Sequence, residues 1–484
     1  MPMLSQLTDL RIKDDVEISM ITADSRMVVP GALFAAIPGT AFDGRDFIES
    51  AISNGASAIL TTPGLADMPI PCIAVDEPRL TYSQIAARFY AGQPECLIAM
   101  TGTNGKSSTV EFLRQIWAYA GLKAACFGTL GVQSPQGYQP LTHTTPDAVA
   151  LHKTLSELQV SGVTHAGMEA SSHGLDQYHL DGVNITAAGF SNLTQDHFDY
   201  HPTMEDYFKA KARLFTELTP ADAPVVINVN DEFGQRLSDI CKARGQDVMR
   251  VGWTGEDIRI DEVMPRRASQ VLTLIVRGTR YKVDLPLAGE FQTLNAISAL
   301  GLAIATGVGQ DTAVAALGHL YGVAGRMERA GQHLNGAPVF VDFAHTEDGL
   351  DKLLRSVRPH TMGKIVLVFG CGGDRDPDKR AKMGRMAAKL ADDIIVTDDN
   401  PRTENAASIR KAVLVGCPDA TEIGDRARAI AQGLSRLGPQ DCLVIAGKGH
   451  EQGQIIGDQI IPFSDVKVAR RKIKALTEKA VQNV

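Results

Sequence analysis

The sequence predicts an α/β protein with three domains: a small N-terminal α/β domain, a central parallel-sheet domain with a phosphate loop, and a C-terminal Rossmann-like domain. The chain has 484 residues, and a typical domain has about 150. Near residue 100 an apolar run leads into a glycine-rich loop and then into a helical pattern. Towards the C-terminus, apolar runs alternate with helical segments, which is typical of a mostly parallel sheet with helices on both faces. We therefore expect domains at residues 1–90, 91–326 and 327–484.

The first domain is predicted from the short apolar runs ALFAAI, SAILTT and CIAV, which are separated by Gly, Pro and Asp residues. Such runs are typical of short strands in a small α/β unit. The segment AGQPEC around Pro94 is interpreted as a linker to the next domain.

The central domain is expected to begin with a phosphate loop. The apolar run CLIAM predicts a buried strand, and TGTNGKSST follows it. Apolar residues then recur at helical spacing from Val110 to Ala120, and Gly121 stands where a C-terminal cap belongs.

The loop is shorter than usual, because Met100 occupies the position of the first glycine. Backbone N–H groups and the helix N-terminus can still hold a phosphate, Lys106 can reach the β- and γ-phosphates, and the Ser107 hydroxyl can ligate Mg²⁺. We therefore expect a phosphate-loop ATPase-like domain that binds ATP or GTP with Mg²⁺.

The third domain is predicted from the runs PVFVDFA, KIVLVFG, DIIVTDD and DCLVIAG, which alternate with helical segments such as 379–391 and 425–437. Each run ends in a polar or glycine-rich loop, which is where open α/β sheets bind their ligands.

Composition and charge exclude several classes of protein. Hydrophobic residues make up 44% and charged residues 21% of the chain, which excludes wholesale disorder. The net charge of −8 argues against a protein that coats nucleic acid, so no nucleic-acid partner is expected. The seven cysteines lack CxxC spacing and an accompanying histidine cluster, which argues against a zinc site or a disulfide framework and for a reducing compartment.

No segment of the sequence is expected to enter a membrane. The N-terminal residues MPMLSQLTDLRIKDD lack the apolar core of a signal peptide. The most apolar long run, 291–310, contains Gln292 and Asn295 and is interpreted as a buried helix and not as a membrane span. We therefore expect a cytoplasmic protein that is not membrane-embedded.

A second polar cluster follows the phosphate loop, in the segments MEASSHGLDQ (168–177), NLTQDHFDYH (192–201) and YFKAKARLF (207–215). Glu169 is a candidate Mg²⁺ ligand, since hard cations prefer carboxylate oxygens. A single histidine such as His197 is more often packed or exposed than a ligand, but a carboxylate and a phosphate loop in the same domain favour a role in the site.

Together these segments resemble the muramyl ligases, the ATP-dependent amide-forming enzymes of bacterial peptidoglycan synthesis. The resemblance spans nearly the whole chain and continues through GEFQTLNA (289–296), GRME (325–328), VDFAHTEDGL (341–350), VFGCGGDRD (368–376), DDNPR (398–402) and AGKGHE (446–451). It implies one domain each for the UDP-sugar, ATP and the incoming amino acid, and amide formation through an acyl phosphate.

The resemblance implies two Mg²⁺ sites. Ser107 and Glu169 would hold the ion bound to ATP. His197 would hold a second ion together with Lys211, which in this family carries a carbamate formed with CO₂ because an ammonium cannot ligate a cation. Carbamylation requires a neutral amine, so burial beside Mg²⁺ would have to favour it. Spacing alone indicates an ordinary surface lysine, and only the resemblance selects Lys211 over Lys209.

The resemblance also assigns residues to substrates, in a chain expected to act as a monomer. Catalysis would involve Lys106, Glu169, His197 and Lys211. The residues implied for ATP are Gly102, Thr103, Asn104, Gly105, Lys106, Ser107, Ser108, Asn295, Arg326, Asp342 and His345. Those implied for the UDP-N-acetylmuramoyl dipeptide are Ala23, Ser25, Thr40, Ala41, Phe42, His143, Thr144, Thr145, Ser171, Gln177 and His179. His143 stands where Asn is common in the family and His179 where Arg is common, and a histidine that is mostly neutral at pH 7 binds an acidic group more weakly.

Substrate choice is expected to depend on the segment DNPR, which resembles the diaminopimelate-adding members of the family; lysine-adding relatives lack the arginine. meso-Diaminopimelate is lysine with one more carboxylate, which a guanidinium can bind bidentately. The residues implied for diaminopimelate are Arg375, Asp399, Asn400, Pro401, Arg402, Gly447 and Glu451, of which Glu451 suits the distal ammonium.

Other functions stay open at this point. Arg402 speaks against a lysine-adding ligase, and the long N-terminal domain and DNPR do not fit folylpolyglutamate synthase. A phosphate-loop ATPase or kinase without ligase activity would turn over ATP without an amino acid. A non-catalytic binding protein would not need Lys106 and the expected Mg²⁺ ligands.

Overall fold

The computed structural model describes residues 1–39, 42–64, 68–195 and 200–482. Its α/β architecture confirms the predicted fold class. The chain forms two compact units: Met1–Ile258 with Ile297–Ala313, and Arg259–Ala296 with Val314–Val484. The three domains with the boundaries given above stay a prediction.

The N-terminal part of the first unit contains a four-stranded parallel sheet in the order β1-β2-β3-β4. The predicted strands ALFAAI, SAILTT and CIAV are confirmed as β2, β3 and β4. Leu33, Leu60 and Ile73 bury their side chains in its core. The elements are α1 (Leu4–Leu7), β1 (Met20–Thr22), β2 (Ala32–Ala35), α2 (Ile48–Ser53), β3 (Ala56–Thr61), β4 (Cys72–Ala74) and α3 (Pro78–Phe89), with 3₁₀ turns at Ser25–Met27 and Gly44–Phe47.

The rest of the first unit is built on a second sheet, whose strands run in the order β12-β11-β10-β5-β9-β6-β7-β8. Strands β5, β6 and β9 to β12 are parallel, and β7 and β8 extend the sheet as an antiparallel hairpin. The strands are β5 (Cys96–Thr101), β6 (Ala124–Gly128), β7 (Gly131–Ser134), β8 (Gly137–Gln139), β9 (His165–Glu169), β10 (Ala187–Phe190), β11 (Val225–Asn228) and β12 (Val248–Gly252). The helices are α4 (Lys106–Tyr119), α5 (Ala148–Val160), α6 (Ser172–Asp176), α7 (Met204–Arg213) and α8 (Glu232–Ala243), and a π-helical turn at Leu214–Leu218 follows α7.

Strand β5 is the predicted strand CLIAM, and it lies between β9 and β10. Because the three strands are parallel, the loops that leave their carboxyl ends meet at one edge of the sheet, where ligands of open α/β sheets bind. The predicted helix after the glycine-rich loop is confirmed as α4, which buries Phe112, Leu113 and Ile116. Gly121 follows this helix with a φ of +81°.

The second unit begins with long strands, and helices α9 and α10 are each divided between the two units because residues Ile297–Ala313 belong to the first. Strands β14 and β15 pair as an antiparallel hairpin. The elements are β13 (Ile258–Arg266), β14 (Ser269–Val276), β15 (Thr279–Leu285), α9 (Glu290–Ala305) and α10 (Gln310–Leu317). Helix α9 confirms the helical interpretation for residues 291–305 of the apolar run, whereas residues 306–309 form a turn before α10. Among the described residues, no helix is long and apolar enough to cross a membrane.

The C-terminal part of the second unit contains a six-stranded sheet in the order β16-β17-β21-β18-β19-β20. It is parallel except for the edge strand β16, and apolar clusters cover both of its faces. The four predicted strands are confirmed as β17, β18, β19 and β21. The strands are β16 (Glu328–Gln332), β17 (Pro338–Asp342), β18 (Ile365–Phe369), β19 (Asp393–Val396), β20 (Thr421–Glu422), β21 (Cys442–Ala446) and the separate hairpin of β22 (Gly453–Ile456) and β23 (Gln459–Pro462). The helices are α11 (Glu347–Val357), α12 (Asp378–Leu390), α13 (Ala406–Leu414), α14 (Arg426–Ser435) and α15 (Asp465–Gln482), with a 3₁₀ turn at Arg358–His360.

A buried ion pair joins the first residues of α14 and α15. The Arg426 guanidinium donates from Nε and Nη2 to the two carboxylate oxygens of Asp465, both at 2.7 Å. Its Nη2 also donates to the carbonyl oxygen of Ala446 at the end of β21, at 2.9 Å. Both charged side chains are almost completely buried, so neither charge can be compensated by water.

We expect Arg426→Met to lower the free energy of unfolding by about 3–5 kcal/mol, because it leaves the Asp465 carboxylate buried without its cation. The double variant Arg426→Met/Asp465→Leu should regain most of this loss. Urea unfolding monitored by circular dichroism measures the free energy of unfolding of the single and the double variant. The control is Arg266→Met, which breaks the exposed pair with Asp284 and should cost at most about 1 kcal/mol. A similar cost for the two single variants would contradict the role of burial.

Candidate active site

The phosphate loop follows β5 and leads into α4. Gly102 has a φ of +142°, and a Cβ atom there would lie 1.9 Å from Ser191 Oγ. The Lys106 ammonium bends back over the loop and donates to the carbonyl oxygens of Gly102 (3.0 Å) and Thr103 (2.9 Å). Ser107 and Ser108 are buried in the first turn of α4, and Gly105 is its N-cap. The sequence-predicted loop residues therefore form one compact loop at a helix N-terminus.

The segment after β10 holds this loop in place. Asn192 accepts the N–H of Thr103 on its carbonyl oxygen (2.8 Å) and the N–H of Asn104 on its side-chain oxygen (3.1 Å). Thr194 N donates to Thr103 Oγ1 (3.0 Å), and Ser191 Oγ donates to the carbonyl oxygen of Asn104 (2.6 Å). The donors left for an anion are therefore the N–H groups of the first turn of α4, since the first N–H groups of a helix have no intrahelical acceptor. Sequence reasoning gave Asn192 and Thr194 no role, although polar residues directly after an apolar strand were a usable signal.

Lys211 lies beside the phosphate loop. Its side chain is 1% exposed, whereas Lys209 on the same helix, α7, is exposed. Lys211 Nζ donates to the carbonyl oxygen of Gly102 at 2.8 Å and lies 4.5 Å from the ring centroid of Tyr207. Lys106 donates to the same carbonyl, so the two ammonium groups lie within about 6 Å of each other, a distance at which charges interact directly.

Glu169 is the last residue of β9 and pairs in register with Met100 of β5. Its carboxylate is buried and accepts the backbone N–H of Thr129 at 2.8 Å and the Thr129 hydroxyl at 3.3 Å. The hydroxyl of Thr101, at the end of β5, is buried and has no hydrogen-bond partner among the described residues. A carboxylate and an unused hydroxyl at neighbouring strand ends are hard oxygen donors of the kind that fit Mg²⁺.

Three residues predicted to be in the site, His197, Thr40 and Ala41, lie outside the described residues. Within the part of the chain that the structure describes, no group of three or more His, Cys, Asp or Glu side chains could by itself hold a metal ion. All seven cysteines are free thiols in the structure.

The residues implied for the sugar and peptide form a hydrogen-bonded group around Glu169. Thr145 Oγ1 donates to the carbonyl oxygen of Glu169 (2.8 Å) and accepts the N–H of Ser171 (2.9 Å). Ser171 is the N-cap of α6, and Thr144 shares a 2.9 Å hydrogen bond with Thr129. The structure thus connects three segments of chain at the carboxyl end of β9.

The remaining polar residues of this group differ in burial. Gln177 Nε2 donates to the hydroxyl of Tyr200 at 3.3 Å. Burial lowers the pKa of His179, and its Nδ1 has no hydrogen-bond partner among the described residues. His143 is exposed beside Thr142. A neutral His179 agrees with the weaker contact to an acidic group that its departure from the family pattern implies.

The residues of the N-terminal sheet that were implied for the UDP-sugar lie near its surface. Ala23 is exposed and directly follows β1. Ser25 begins the 3₁₀ turn that Asp24 caps. Phe42 is 78% exposed, so its ring is available to stack on a ligand.

The other residues implied for ATP lie in the second unit. Asn295 on α9 donates to Gln292, which donates to the carbonyl oxygen of Arg326 at 2.8 Å. The Asp342 carboxylate at the end of β17 accepts the N–H groups of Met327 and Ala344, each at 2.7 Å. Burial raises the pKa of Asp342, and the charge of Arg326 opposes that rise.

Two histidines extend this group. His345 Nδ1 contacts the carbonyl oxygen of Phe343 at 2.8 Å, and burial lowers its pKa. Arg326 lies over the Phe343 ring, with its guanidinium carbon 5.0 Å from the ring centroid. His450 packs its ring 5.1 Å from the same ring, and burial and the charge of Arg326 lower its pKa to about 4. Sequence reasoning quoted His450 in AGKGHE but did not assign it to the site.

The segment DNPR follows β19 in an unusual backbone conformation, since Asn400 and Arg402 have φ values of 37° and 52°. Asn400 Nδ2 donates to Glu451 Oε2 at 2.8 Å, which joins two predicted residues directly. Arg402 Nη1 donates to the carbonyl oxygen of Gly373 at 2.7 Å. Its backbone N–H donates to the carbonyl oxygen of Ile455 at 3.1 Å, so the hairpin of β22 and β23 supports this turn.

The other predicted members of this group are placed as follows. Asp399 is buried, and the Cβ of any residue replacing Gly447 would lie 2.4 Å from its Oδ2. Arg375 is exposed, and no hydrogen bond joins it to the DNPR segment among the described residues. Lys448, which sequence reasoning missed, is fully buried between Asp399 and Glu451. A charged residue directly after the buried run DCLVIAG was the signal that could have identified it.

Comparison with known families covers most of the chain. Three family profiles match: "Mur ligase family, catalytic domain" over residues 17–90, "Mur ligase middle domain" over 100–303, and "Mur ligase, glutamate ligase domain" over 325–449. The chain belongs to the Mur ligase family. This confirms the resemblance inferred from the motifs and establishes that the chain is a ligase.

Individual relatives support the same assignment. UDP-N-acetylmuramoyl-L-alanyl-D-glutamate–2,6-diaminopimelate ligase of Agrobacterium fabrum is 49% identical over 95% of this chain and 94% of its own. The ligase of the same name from Caulobacter vibrioides is 48% identical over 96% of this chain and 97% of its own. A solved structure of a ligase of that name superimposes with a TM-score of 0.75 at 31% identity, covering 98% of this Mur ligase and 99% of the other chain. A folylpolyglutamate synthase of Mycobacterium tuberculosis, 20% identical, shares the fold over 76% of this chain and 92% of its own with a TM-score of 0.61.

We expect Gly102→Ala to weaken the binding of a Mg²⁺-loaded, non-hydrolysable ATP analogue at least tenfold. An alanine at φ +142° is strained, and its methyl group would collide with Ser191 at the base of the loop. The matched control is Gly121→Ala at the other end of α4, where φ is +81° but no atom lies within 4 Å. This control should lose about 1 kcal/mol of stability and keep its affinity. Calorimetric titration compares the variants, and equal affinities would contradict the assigned loop.

Proposed function

We propose that this Mur ligase uses ATP to add meso-diaminopimelate to the D-Glu side-chain carboxylate of UDP-N-acetylmuramoyl-L-Ala-D-Glu, in the synthesis of bacterial peptidoglycan precursors. The observation that carries the proposal is the combination of nearly full-length similarity to ligases named for this substrate with a DNPR turn that contacts Glu451 in the structure.

The proposed chemistry explains the charges of the central site. A carboxylate does not accept an amine directly, because its leaving group would be oxide. Transfer of the γ-phosphoryl group of ATP to the carboxylate gives an acyl phosphate, which the amine then attacks with release of phosphate. Two anions must meet in the first step, and the ammonium of Lys106 lies over the loop where it can offset their repulsion.

The first unit offers oxygen ligands that fit Mg²⁺. Ser107 in the first turn of α4 and Glu169 at the end of β9 would hold the ion that accompanies ATP. When bound, Mg²⁺ neutralises phosphate charge and withdraws electrons from the transferred group. His197 is proposed to serve a second ion. The Thr101 hydroxyl, which has no hydrogen-bond partner among the described residues, is one more oxygen donor at this edge of the sheet.

We propose that Lys211 carries a carbamate in the active enzyme. Support comes from its burial and from the carbonyl that it shares with Lys106, since two ammonium groups within about 6 Å repel each other. The ammonium would first lose one proton to water, and the neutral amine would then attack the carbon of CO₂ and lose a second proton to water, so that the cation becomes an anion. That change turns repulsion from Lys106 into attraction and supplies oxygen ligands next to the loop.

The second unit is proposed to bind ATP through Asn295, Arg326, Asp342 and His345 and to select the amino acid. A guanidinium at Arg402 can bind the carboxylate that diaminopimelate has and lysine lacks. One carboxylate oxygen of Glu451 contacts Asn400, and we propose that the other accepts the distal ammonium. A site built around such polar groups can reject a substrate that leaves them unpaired by a factor of about 10⁴–10⁵.

We further propose that the enzyme acts as a monomer in the cytoplasm. The support for a monomer is the family resemblance, which implies a site that closes within one chain, and both ATP and UDP-linked sugars are cytoplasmic metabolites.

The function is tested by phosphate release from Mg²⁺-ATP and UDP-N-acetylmuramoyl-L-Ala-D-Glu in parallel reactions with meso-diaminopimelate, L-lysine or no amino acid. We expect release only with diaminopimelate, because the Arg402 guanidinium would face no carboxylate in lysine. Release with lysine would keep the ligase and contradict the role of Arg402. Release without any amino acid would indicate an uncoupled ATPase and contradict the proposal.

We expect Lys211→Ala to lower kcat at least 100-fold, with partial rescue by added formate or acetate, because a small carboxylate can replace the lost carbamate oxygens. The matched control is Lys209→Ala, two residues earlier on α7 and exposed, which should retain activity within about twofold. Steady-state ligation assays with and without the added carboxylates measure both. Loss of activity without rescue would limit Lys211 to its contact with the phosphate loop, and full activity would exclude any role.

A further inference from the structure

Lys448 is a buried cation that the proposed chemistry does not use. It follows Gly447 directly after β21, and its side chain is 0% exposed. A lysine is almost never fully buried unless its charge is paired, because removing an ammonium from water is costly. Its partners therefore indicate what the lysine does.

Among the described residues, the Lys448 ammonium has three polar contacts, all with residues assigned to the amino acid. Its Nζ donates to Asn400 Oδ1 at 2.7 Å and to Glu451 Oε2 at 3.0 Å. It also lies 3.5 Å from Asp399 Oδ1. One ammonium group thus joins the DNPR segment to the segment that carries Glu451.

These contacts determine how Asn400 and Glu451 are presented. Asn400 Oδ1 accepts both Lys448 and the backbone N–H of Ile455 (3.0 Å), while Asn400 Nδ2 donates to Glu451 Oε2. The same Glu451 oxygen therefore receives two donors, from Lys448 and Asn400. This arrangement fixes the rotamer of the carboxylate and directs both donors to a single oxygen.

The backbone of DNPR needs this support. Asn400 and Arg402 both lie in the left-handed region. Asparagine adopts this region more readily than most residues with a side chain, whereas for arginine it is strained and persists only when the surroundings enforce it. The side chain of Asn400 is held by hydrogen bonds from Lys448 and from the N–H of Ile455. The backbone of Arg402 is held by hydrogen bonds with the backbone of Ile455 and Gly457. The direction of the Arg402 side chain depends on this turn.

We propose that Lys448 is a positioning residue for the choice of amino acid. It holds Oε2 of Glu451 and the side chain of Asn400, so that Oε1 of Glu451 is presented to an ammonium group and Arg402 to a carboxylate of the incoming amino acid. The inference rests on the proposed function, since it assigns Lys448 to the selection step of that reaction.

The neighbouring buried cation, Arg426, serves as a comparison because its hydrogen bonds are structural. Arg426 pairs with Asp465 and donates to the carbonyl oxygens of Asp398 and Ala446. None of these hydrogen bonds reaches a side chain assigned to the amino acid. Lys448 differs because its contacts, with Asp399, Asn400 and Glu451, are with assigned side chains only.

The test compares Lys448→Met with the unmodified full chain, using separate KM measurements for meso-diaminopimelate, ATP and the UDP-linked dipeptide. We expect the KM for diaminopimelate to rise at least tenfold and the other two to stay within twofold. The control is Lys389→Met at the exposed end of α12, for which all three values should be unchanged. A uniform change of the three constants, or no change in the KM for diaminopimelate, would overturn the inference.

A double variant separates positioning from general damage. If Lys448 acts through Glu451, Lys448→Met should add less than twofold to the KM for diaminopimelate once Glu451→Gln is present. Independent, multiplying effects would overturn the inference. The double variant removes one cation and one anion, so it also serves if the single variant does not fold. Failure of both to fold, judged by circular dichroism, would show that Lys448 serves the fold and would equally overturn the inference.

Failure of the proposed function is recognised separately. The unmodified chain would then either release no phosphate in the presence of diaminopimelate or release phosphate without any amino acid. The inference about Lys448 is tested by the ratio of the KM of each variant to the KM of the unmodified chain, which requires an active unmodified chain.

Discussion

The carbonyl oxygen of Gly102 receives two lysine ammonium groups, and the arrangement of the central site depends on this contact. Lys106 reaches it from the start of α4 and Lys211 from α7. The two helices can meet there because β5 lies between β9 and β10, so that the loops after all three strands share one edge of the sheet. Two ammonium groups held this close repel each other, and this repulsion is the physical basis of the proposed carbamate at Lys211, which would leave Lys106 as the cation facing a phosphate.

The C-terminal sheet handles charge in a different way. At the end of β21, Lys448 and Arg426 are both buried, and each already has carboxylate partners within the protein. Little uncompensated charge is therefore buried before a ligand arrives, which avoids the cost of isolated buried ions. Arg402 is only partly buried. Its guanidinium, like that of the exposed Arg375, is therefore accessible to the substrate carboxylate proposed above.

Local features of the sequence predicted most of the fold. Runs such as CLIAM and KIVLVFG became buried strands, and the phosphate loop formed where its glycines and Lys106 indicated. What could not be predicted depends on residues far apart in the chain, as in the contacts of Asn192 with the loop and of Lys448 with Asn400. The choice between Lys209 and Lys211 also depends on contacts between residues far apart in the chain. The two residues are equivalent in local pattern, and only packing of α7 against the loop buries one of them.

The contacts after β10 also account for the shortened phosphate loop. A full-length loop has an additional glycine where this chain has Met100, a buried strand residue. The loop is held instead by hydrogen bonds from a neighbouring segment. Asn192 accepts the N–H groups of Thr103 and Asn104, and the N–H of Thr194 donates to the Thr103 hydroxyl. Gly102 then permits the close approach of Ser191 that this arrangement requires. A loop held by a neighbouring segment has little conformational freedom to lose, which lowers the cost of ordering it around a phosphate.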